Sequence, residues 1–332
     1  MNAADLEVLS NNALASAAVV FFLAFVAHIW EWAQARSLPE PGRTRKSVLV
    51  GVDVGSRRTA SAVAVPSGAH GGTGSVDEKK ALKVDIYGRI GIALTVLAGL
   101  LNFVAVLTRG LAAERVPWGN MYEFATAGTF AFTAVYLLLL RRYELRWLGP
   151  VVSGVAVAVL MLAVLILHEP VAPLVPSLHS YWLVIHVIAA VMATGAFTVG
   201  AMASALFLIK KRAEGRETPG ATGYIARLPH SSVLDRVAFR VHAFGFPIWT
   251  FAALIAGPIW AQYAWGRYWG WDPKEVWAFI TWVIYAAYLH ARSTAGWKGK
   301  AAVISLVGMA TLLFNFIGIN YFFGAGSLHS YA

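Results

Sequence analysis

A chain of 332 residues in which 58% are hydrophobic and only 13% charged departs from soluble globular proteins, whose shares are about 45–50% and about 25%. That composition selects an integral membrane protein, and the lack of cysteine excludes disulfides, thiolate metal sites and any thiol relay within the chain. The formal net charge of +10 raises nucleic acid or acidic lipid as partners, and the placement of the basic residues argues against nucleic acid.

A helix needs about 20 apolar residues to cross a bilayer core. Eight such runs occur in chain order, at roughly 13–34, 88–108, 122–140, 147–167, 182–209, 241–262, 275–291 and 301–323. The first lacks a basic leader and a small-residue cleavage site, so it reads as a retained helix. The pattern predicts an all-α polytopic integral membrane protein of about eight transmembrane helices. Of the 27 Lys and Arg residues, 22 fall in the segments 36–87, 141–146, 210–240 and 292–300, which alternation places on one side. By the positive-inside rule that side is cytoplasmic, and both termini lie outside. The basic charge is then a topology signal and a solvated inner face, with no nucleic-acid partner.

Three regions follow: a first transmembrane helix over 1–35, a basic flexible cytoplasmic loop over 36–87, and a membrane core over 88–332. Runs such as PSGAHGGTGS within 40–80, and AEGRETPGAT at 213–222, read as flexible linkers. His70 and His230, in or near such loops, read as solvated. The outer face collects the loop 109–121 with Arg115, Trp118 and Asn120, the proline-punctuated loop 168–181 with His168 and His179, and the tail GAGSLHSYA with His329.

The remaining outer segment is WGRYWGWDPKEVWAFITWVIYAAYLHAR, residues 265–292. Seven of the thirteen tryptophans fall between Trp260 and Trp297. An aromatic belt at headgroup level explains Trp30, Trp32 and Trp147. Trp269 and Trp271 are interleaved with Gly266, Gly270 and Asp272-Pro273, which shape a backbone, and two readings stand side by side. The indoles form either a belt or an apolar platform for a large planar ligand. Ionisable residues in or beside membrane helices are costly and point to function. His186 sits at the outer end of span five, His329 in the outer tail, and His290 and His28 nearer the inner side. His242 opens span six. Each is either a satisfied core histidine or a ligand. Outer imidazoles beside an indole platform suit haem iron.

The segment 265–292 resembles the tryptophan-rich WWD signature of haem-handling membrane proteins. WLVIHV at 182–187, LDRVAFR and GFP within 234–247, AGPIWAQYAWG at 256–266, VPWGNMYEF at 116–124 and the closing GAGSLHSY are similar to the CcsA (ResC) branch of cytochrome c biogenesis System II. The resemblance runs from about residue 85 to the end, and segment 36–85 lies outside it. It implies a haem-handling core over 88–332 with its WWD segment at 260–292. It implies haem b as ligand and substrate, delivered across or within the plasma membrane and presented on the outer face. There it is attached to an apocytochrome c bearing Cys-x-x-Cys-His. His186 and His329 are then axial ligands of the outer haem iron, and His290 a ligand of an intramembrane haem. Trp265, Trp269, Trp271, Asp272 and Trp277 contact the cofactor. The implied partner is a CcsB (ResB) membrane subunit, with thiol-reducing proteins acting indirectly. Together they form a holocytochrome c synthase of the haem lyase type that acts by positioning haem. Lys274 and Arg267 are candidates for the propionates. Asp272 and Glu275 also have a plainer reading as helix-start residues. The alternatives are a haem exporter with no synthase role, a transporter of a non-haem substrate, and a structural subunit of a respiratory complex.

Overall fold

The computed structural model describes residues 1–35, 73–172, 180–216, 224–323 and 328. Among them the regular structure is entirely helical: α1 Ala3–Ala35, α2 Thr73–Ala112, α3 Met121–Arg142, α4 Gly149–Leu165, α5 Tyr181–Glu214, the short α6 Tyr224–Arg227, α7 Ser231–Phe251, α8 Gly257–Trp265, α9 Pro273–Ser293, α10 Lys298–Leu313 and α11 Ile319–Phe322. Two π-turns, Ala252–Ala256 and Phe314–Gly318, join α7 to α8 and α10 to α11. All eight apolar runs are helices. Seven are long and apolar enough to cross a membrane. The run at 275–291 is α9, with 21 residues. Its Trp, Tyr and His290 side chains dilute its hydropathy.

Helix α2 begins at Thr73, well before the apolar run at 88, so helix replaces the last part of the expected loop 36–87. The apolar run marks only the part of a helix that meets lipid. Glu78-Lys79-Lys80-Ala81-Leu82-Lys83 are good helix formers. Asp85 and Arg89 add an i,i+4 pair at 2.8 Å.

Helices α1 and α2 run antiparallel. Ser10 Oγ donates to Ala105 O at 2.8 Å near one end, and His28 meets Gly91 near the other. Arg146, just before α4, reaches Glu31 of α1 at 2.9 Å and Asp85 of α2 at 2.8 Å. The His28 ring is fully buried between Gly91 and Gly149, where an added Cβ would approach Cε1 to 2.6 Å at either position. With helix backbones against it on two sides, His28 is a packing residue and has no room for a porphyrin. A methyl group there cannot be absorbed by a flexible neighbour. Gly149→Ala is expected to lower stability by about 1–3 kcal/mol through overpacking. Thermal unfolding of the purified protein in detergent checks this.

The second half packs α5, α7, α9 and α10 around Phe197, Trp249, Tyr285 and Tyr288. Phe197 stacks on Tyr285 at 3.7 Å. His242 is fully buried in this group against Gly200 and lies edge-on to Tyr288 at 4.8 Å. Arg292 Nη2 meets Asp235 at 2.6 Å and ties the end of α9 to the start of α7.

Candidate functional site

The site forms where α5, the π-turn before α8, the loop 266–272 and the π-turn after α10 converge. Pro247 inside α7 lacks an N–H and disturbs the helical ladder. The π-turn follows within two turns, and such turns bring backbone carbonyls out of register. The Ala252 carbonyl accepts a hydrogen bond from His186 Nδ1 at 2.9 Å. A carbonyl can only accept, so Nδ1 carries the proton and Nε2 the lone pair, the tautomer that a metal ligand needs. The ring stacks on Trp260, with centroids 6.0 Å apart and 13° between planes. Gly257 makes this possible: a Cβ there would lie 3.2 Å from the imidazole and 3.1 Å from the Ala252 oxygen.

The loop 266–272 is built to be rigid. Gly266 ends α8 at φ 73°, the left-handed cap that glycine adopts without strain. Trp271 holds φ 57°, which strains a bulky side chain. What holds it there is the capping box that follows. Asp272 Oδ1 accepts from Lys274 N at 2.9 Å, and Glu275 Oε2 accepts from Asp272 N at 3.0 Å and Gly270 N at 2.8 Å. The second Asp272 oxygen accepts from Leu328 N at 2.7 Å, which ties Leu328 to this loop.

These elements shape a pocket lined by His186, Trp118, Trp249, Trp260 and Trp269. Its polar lining is Lys274, Glu275, Asn315 and Asn320, with Tyr268 beside them. Lys274 lies just outside the apolar span. Burial lowers its ammonium to about 7, against the pull of Asp272.

His186 and Trp269 therefore meet in one pocket, with Asp272 and Glu275 fixing the loop beneath them. The other indoles take different places. Trp265 packs edge-on behind Trp260 at 4.8 Å. Trp271 is 70% exposed and nearly perpendicular to Trp269, so these two do not form one flat surface. Trp277 turns to Phe314 at 4.3 Å. Arg267 folds back over Gly270. His290 is exposed toward the opposite end of α9, about 27 Å along the helix from Asp272. His329 and His179 lie outside the described residues. The wall residue Trp249 carried no sequence signal, because helix packing alone brings it to His186, whereas Trp260 opens the tryptophan-rich segment 260–292. Trp118 showed itself as an interface residue of an outer loop and as part of VPWGNMYEF, with no sign that it faces His186.

That loop is held by a charge cluster. Glu123 is 1% exposed and meets Arg109 at 3.1 Å, Arg115 at 2.7 Å and Gly119 N at 2.7 Å. Arg109 also reaches Glu7 at 3.4 Å and the Glu169 carbonyl at 2.6 Å.

A bundle of membrane helices with an indole-walled cavity and an oriented imidazole at one end defines a class: polytopic membrane proteins with a ligand-sized cavity at the end of the bundle. Residues 118–325 match the family described as cytochrome C assembly protein. The chain belongs to that family. A cytochrome c biogenesis protein CcsA from Synechococcus sp. (strain JA-3-3Ab) is 32% identical over 302 residues, covering 75% of this chain and 87% of the relative. The CcsA of Guillardia theta is 35% identical over 262 residues, covering 73% and 85%. The solved structure of the cytochrome c heme lyase CcmF superposes with a TM-score of 0.60 at 16% identity, covering 96% of this chain and 47% of CcmF. The chain thus shares CcmF's fold while spanning about half its length.

Proposed function

We propose that this protein binds haem b in the outer pocket and presents it for covalent attachment to apocytochrome c. The observation that carries this is His186: its Nδ1 proton is committed to the Ala252 carbonyl, so Nε2 is the ligating nitrogen at the wall of an indole-lined cavity. The names of the CcsA relatives support the same role. His329 is the second axial ligand, and the anchoring of the preceding Leu328 on Asp272 supports its assignment. Trp269 packs on the macrocycle, while Trp265, Trp271, Asp272 and Trp277 hold the WWD segment around it. The active face lies outside the cytoplasm, in the plasma membrane, as the Lys and Arg distribution implies.

The protein's contribution is positioning. Each thiol of a Cys-x-x-Cys-His segment adds across one haem vinyl, sulfur to one carbon and hydrogen to the other, so no further reagent is consumed. Holding haem at a fixed site turns that encounter into a local one. Two imidazole ligands tune the iron, which must stay ferrous. His290, exposed on the stripe Phe279, Val283 and Ala287 of α9, faces a CcsB-type subunit and ligates an intramembrane haem with it. Thiol reduction belongs to other proteins, since this chain has no cysteine.

Lys274 meets a haem propionate. Its lowered pKa of about 7 rises when the anion arrives, so bound protein holds more protons than free protein above that pH. Haem affinity is therefore expected to fall as pH rises through 7, and to level off beyond the pKa of the bound state. Titrating haem from pH 6 to 9 checks this. Lys274→Met flattens the profile, and so does the dimethyl ester of haem; a slope unchanged in both removes Lys274 from the site. The proposal as a whole is tested by purifying the protein with its partner. His186→Ala lowers outer haem and cytochrome c maturation together. A colourless wild-type complex favours a non-haem transporter, and haem binding without maturation of a reporter cytochrome favours an exporter.

A further inference from the structure

The outer pocket holds one amide that the fold itself does not use. Asn315 lines the pocket and is 7% exposed. On α10 and the turn after it, Val303, Val307, Leu313 and Ile317 are exposed on the outside of the bundle. Asn315 falls on the inward stripe with Ser305, Gly308 and Leu312, so the surface it keeps opens to the pocket. Its side chain makes no hydrogen bond among the described residues, and of its two polar atoms only Oδ1 is fully shielded. Nδ2, with both of its hydrogens, is the end that a ligand in the pocket can reach. The reverse setting would bury two unmatched donors in place of one acceptor, which is less favourable.

Backbone phase puts it there. The turn Phe314–Gly318 closes with Ile319 N donating to Phe314 O, five residues back. In an α-helix, residues five apart point about 140° away from each other. The extra residue of a π-turn brings Asn315 and Asn320 to one side, and both line the pocket. Asn320 is committed to the fold, since its Nδ2 donates to Phe316 O at 2.8 Å and to Met121 Sδ at 2.7 Å. Contacts on either side of Asn315 fix its depth. The Thr281 and Thr311 hydroxyls lie 3.1 Å apart, and Trp277 meets Phe314 at 4.3 Å. Helices α9 and α10 therefore run antiparallel with Asn315 level with Ala278, another lining residue. Lys274 lines the same wall one turn further out on α9, about 6 Å along the helix from Ala278. The Glu275 carboxylate between them is turned to Gly270 N and Asp272 N.

We propose that Asn315 is a ligand-binding residue of the seat: its Nδ2 donates to one haem propionate while Lys274 takes the other, so that the wall made by α9 and α10 reads the acid-bearing edge of the ring. This rests on the reading of the pocket as a haem seat and deepens it. An apolar ligand leaves the amide unmatched, and a ligand with one acid matches one of the two donors. A porphyrin with two neighbouring acid side chains matches both. Anchoring both acids also fixes the in-plane rotation of the ring, and with it the place where the vinyls of the opposite edge meet the incoming thiols.

The test compares haem with its dimethyl ester, which keeps the ring, the iron and the vinyls and removes both charges. Affinities for the two are measured on the protein purified with its partner, as wild type, Asn315→Leu and Asn315→Asp. Asn315→Leu is expected to weaken haem by about tenfold or more, the effect of losing a hydrogen bond to a charged group. It weakens the ester far less, so the preference for haem over ester shrinks. Asn315→Asp keeps the size of the side chain, removes the donor and adds a like charge, and is expected to bind the ester more tightly than haem. Should Asn315→Leu fail to fold, this near-isosteric variant carries the test. A haem-to-ester ratio equal to wild type in Asn315→Asp overturns the assignment, as does a wild type that does not distinguish haem from its ester. If the wild-type complex acquires no His186-dependent haem, the seat itself is wrong, a result distinct from a seat whose preference for the free acids ignores Asn315.

Discussion

His186→Ala is expected to remove the outer haem from the purified complex. Losing a hydrogen bond that merely orients a metal-ligating histidine weakens metal binding by about 10–100-fold. Losing the ligand itself is more severe, and the Ala252 carbonyl offers the iron nothing in its place. The pocket walls come from α5, α7, α8, the capped loop and the turn after α10, none of which depends on the imidazole for its helical hydrogen bonds. The variant should therefore fold, retain its thermal transition and lack the bis-histidine spectrum. A gentler variant isolates the orienting contact. Gly257→Ala places a methyl group 3.2 Å from the imidazole and 3.1 Å from the Ala252 oxygen. It is expected to weaken haem binding by about 10–100-fold through the ring's orientation alone. Haem titration of both variants beside the wild type gives the ratio. Equal affinity in all three contradicts the assignment.

Glu123→Ala is expected to produce the largest loss of stability. Its carboxylate is the common partner of Arg109 and Arg115, whose side chains are 3% and 9% exposed. Truncating one member of a buried charge cluster leaves the others uncompensated, a loss of about 3–5 kcal/mol. The effect is local before it is global. The carboxylate also accepts from Gly119 N, so the loop bearing Trp118 loosens first and the pocket loses part of its wall. Detergent thermal unfolding and the yield of monodisperse protein measure the outcome. Glu123→Gln, which keeps acceptor capacity but not charge, is expected to fall between the two. Wild-type unfolding in Glu123→Ala would show that the cluster contributes nothing net.

Much of this architecture is visible in the amino-acid order because the bilayer demands long apolar runs, and all eight runs are helices. The part of α2 before residue 88 escapes such a scan, since its Lys and Glu residues form helix without entering lipid. The π-turns escape it too, because hydropathy does not register backbone phase. At the site, the glycines, the Asp-Pro pair and Glu275 announce a shaped loop, and the capping box gives that shape its cause. His186 stands out as an ionisable residue at a span end. The carbonyl that fixes its tautomer lies 66 residues away and is a backbone atom, which no side-chain pattern reveals. For the same reason Trp249 joins the pocket without a motif, while Trp271 and Trp277, inside the motif, point elsewhere.

The most direct test is pulsed electron paramagnetic resonance of the oxidised, haem-loaded complex with this chain's histidines labelled with nitrogen-15. Two strongly coupled imidazole nitrogens on a low-spin outer haem are predicted in the wild type, and in His186→Ala the couplings of that haem are lost together with the haem. Identical couplings in wild type and variant would mean that the iron is held by other residues.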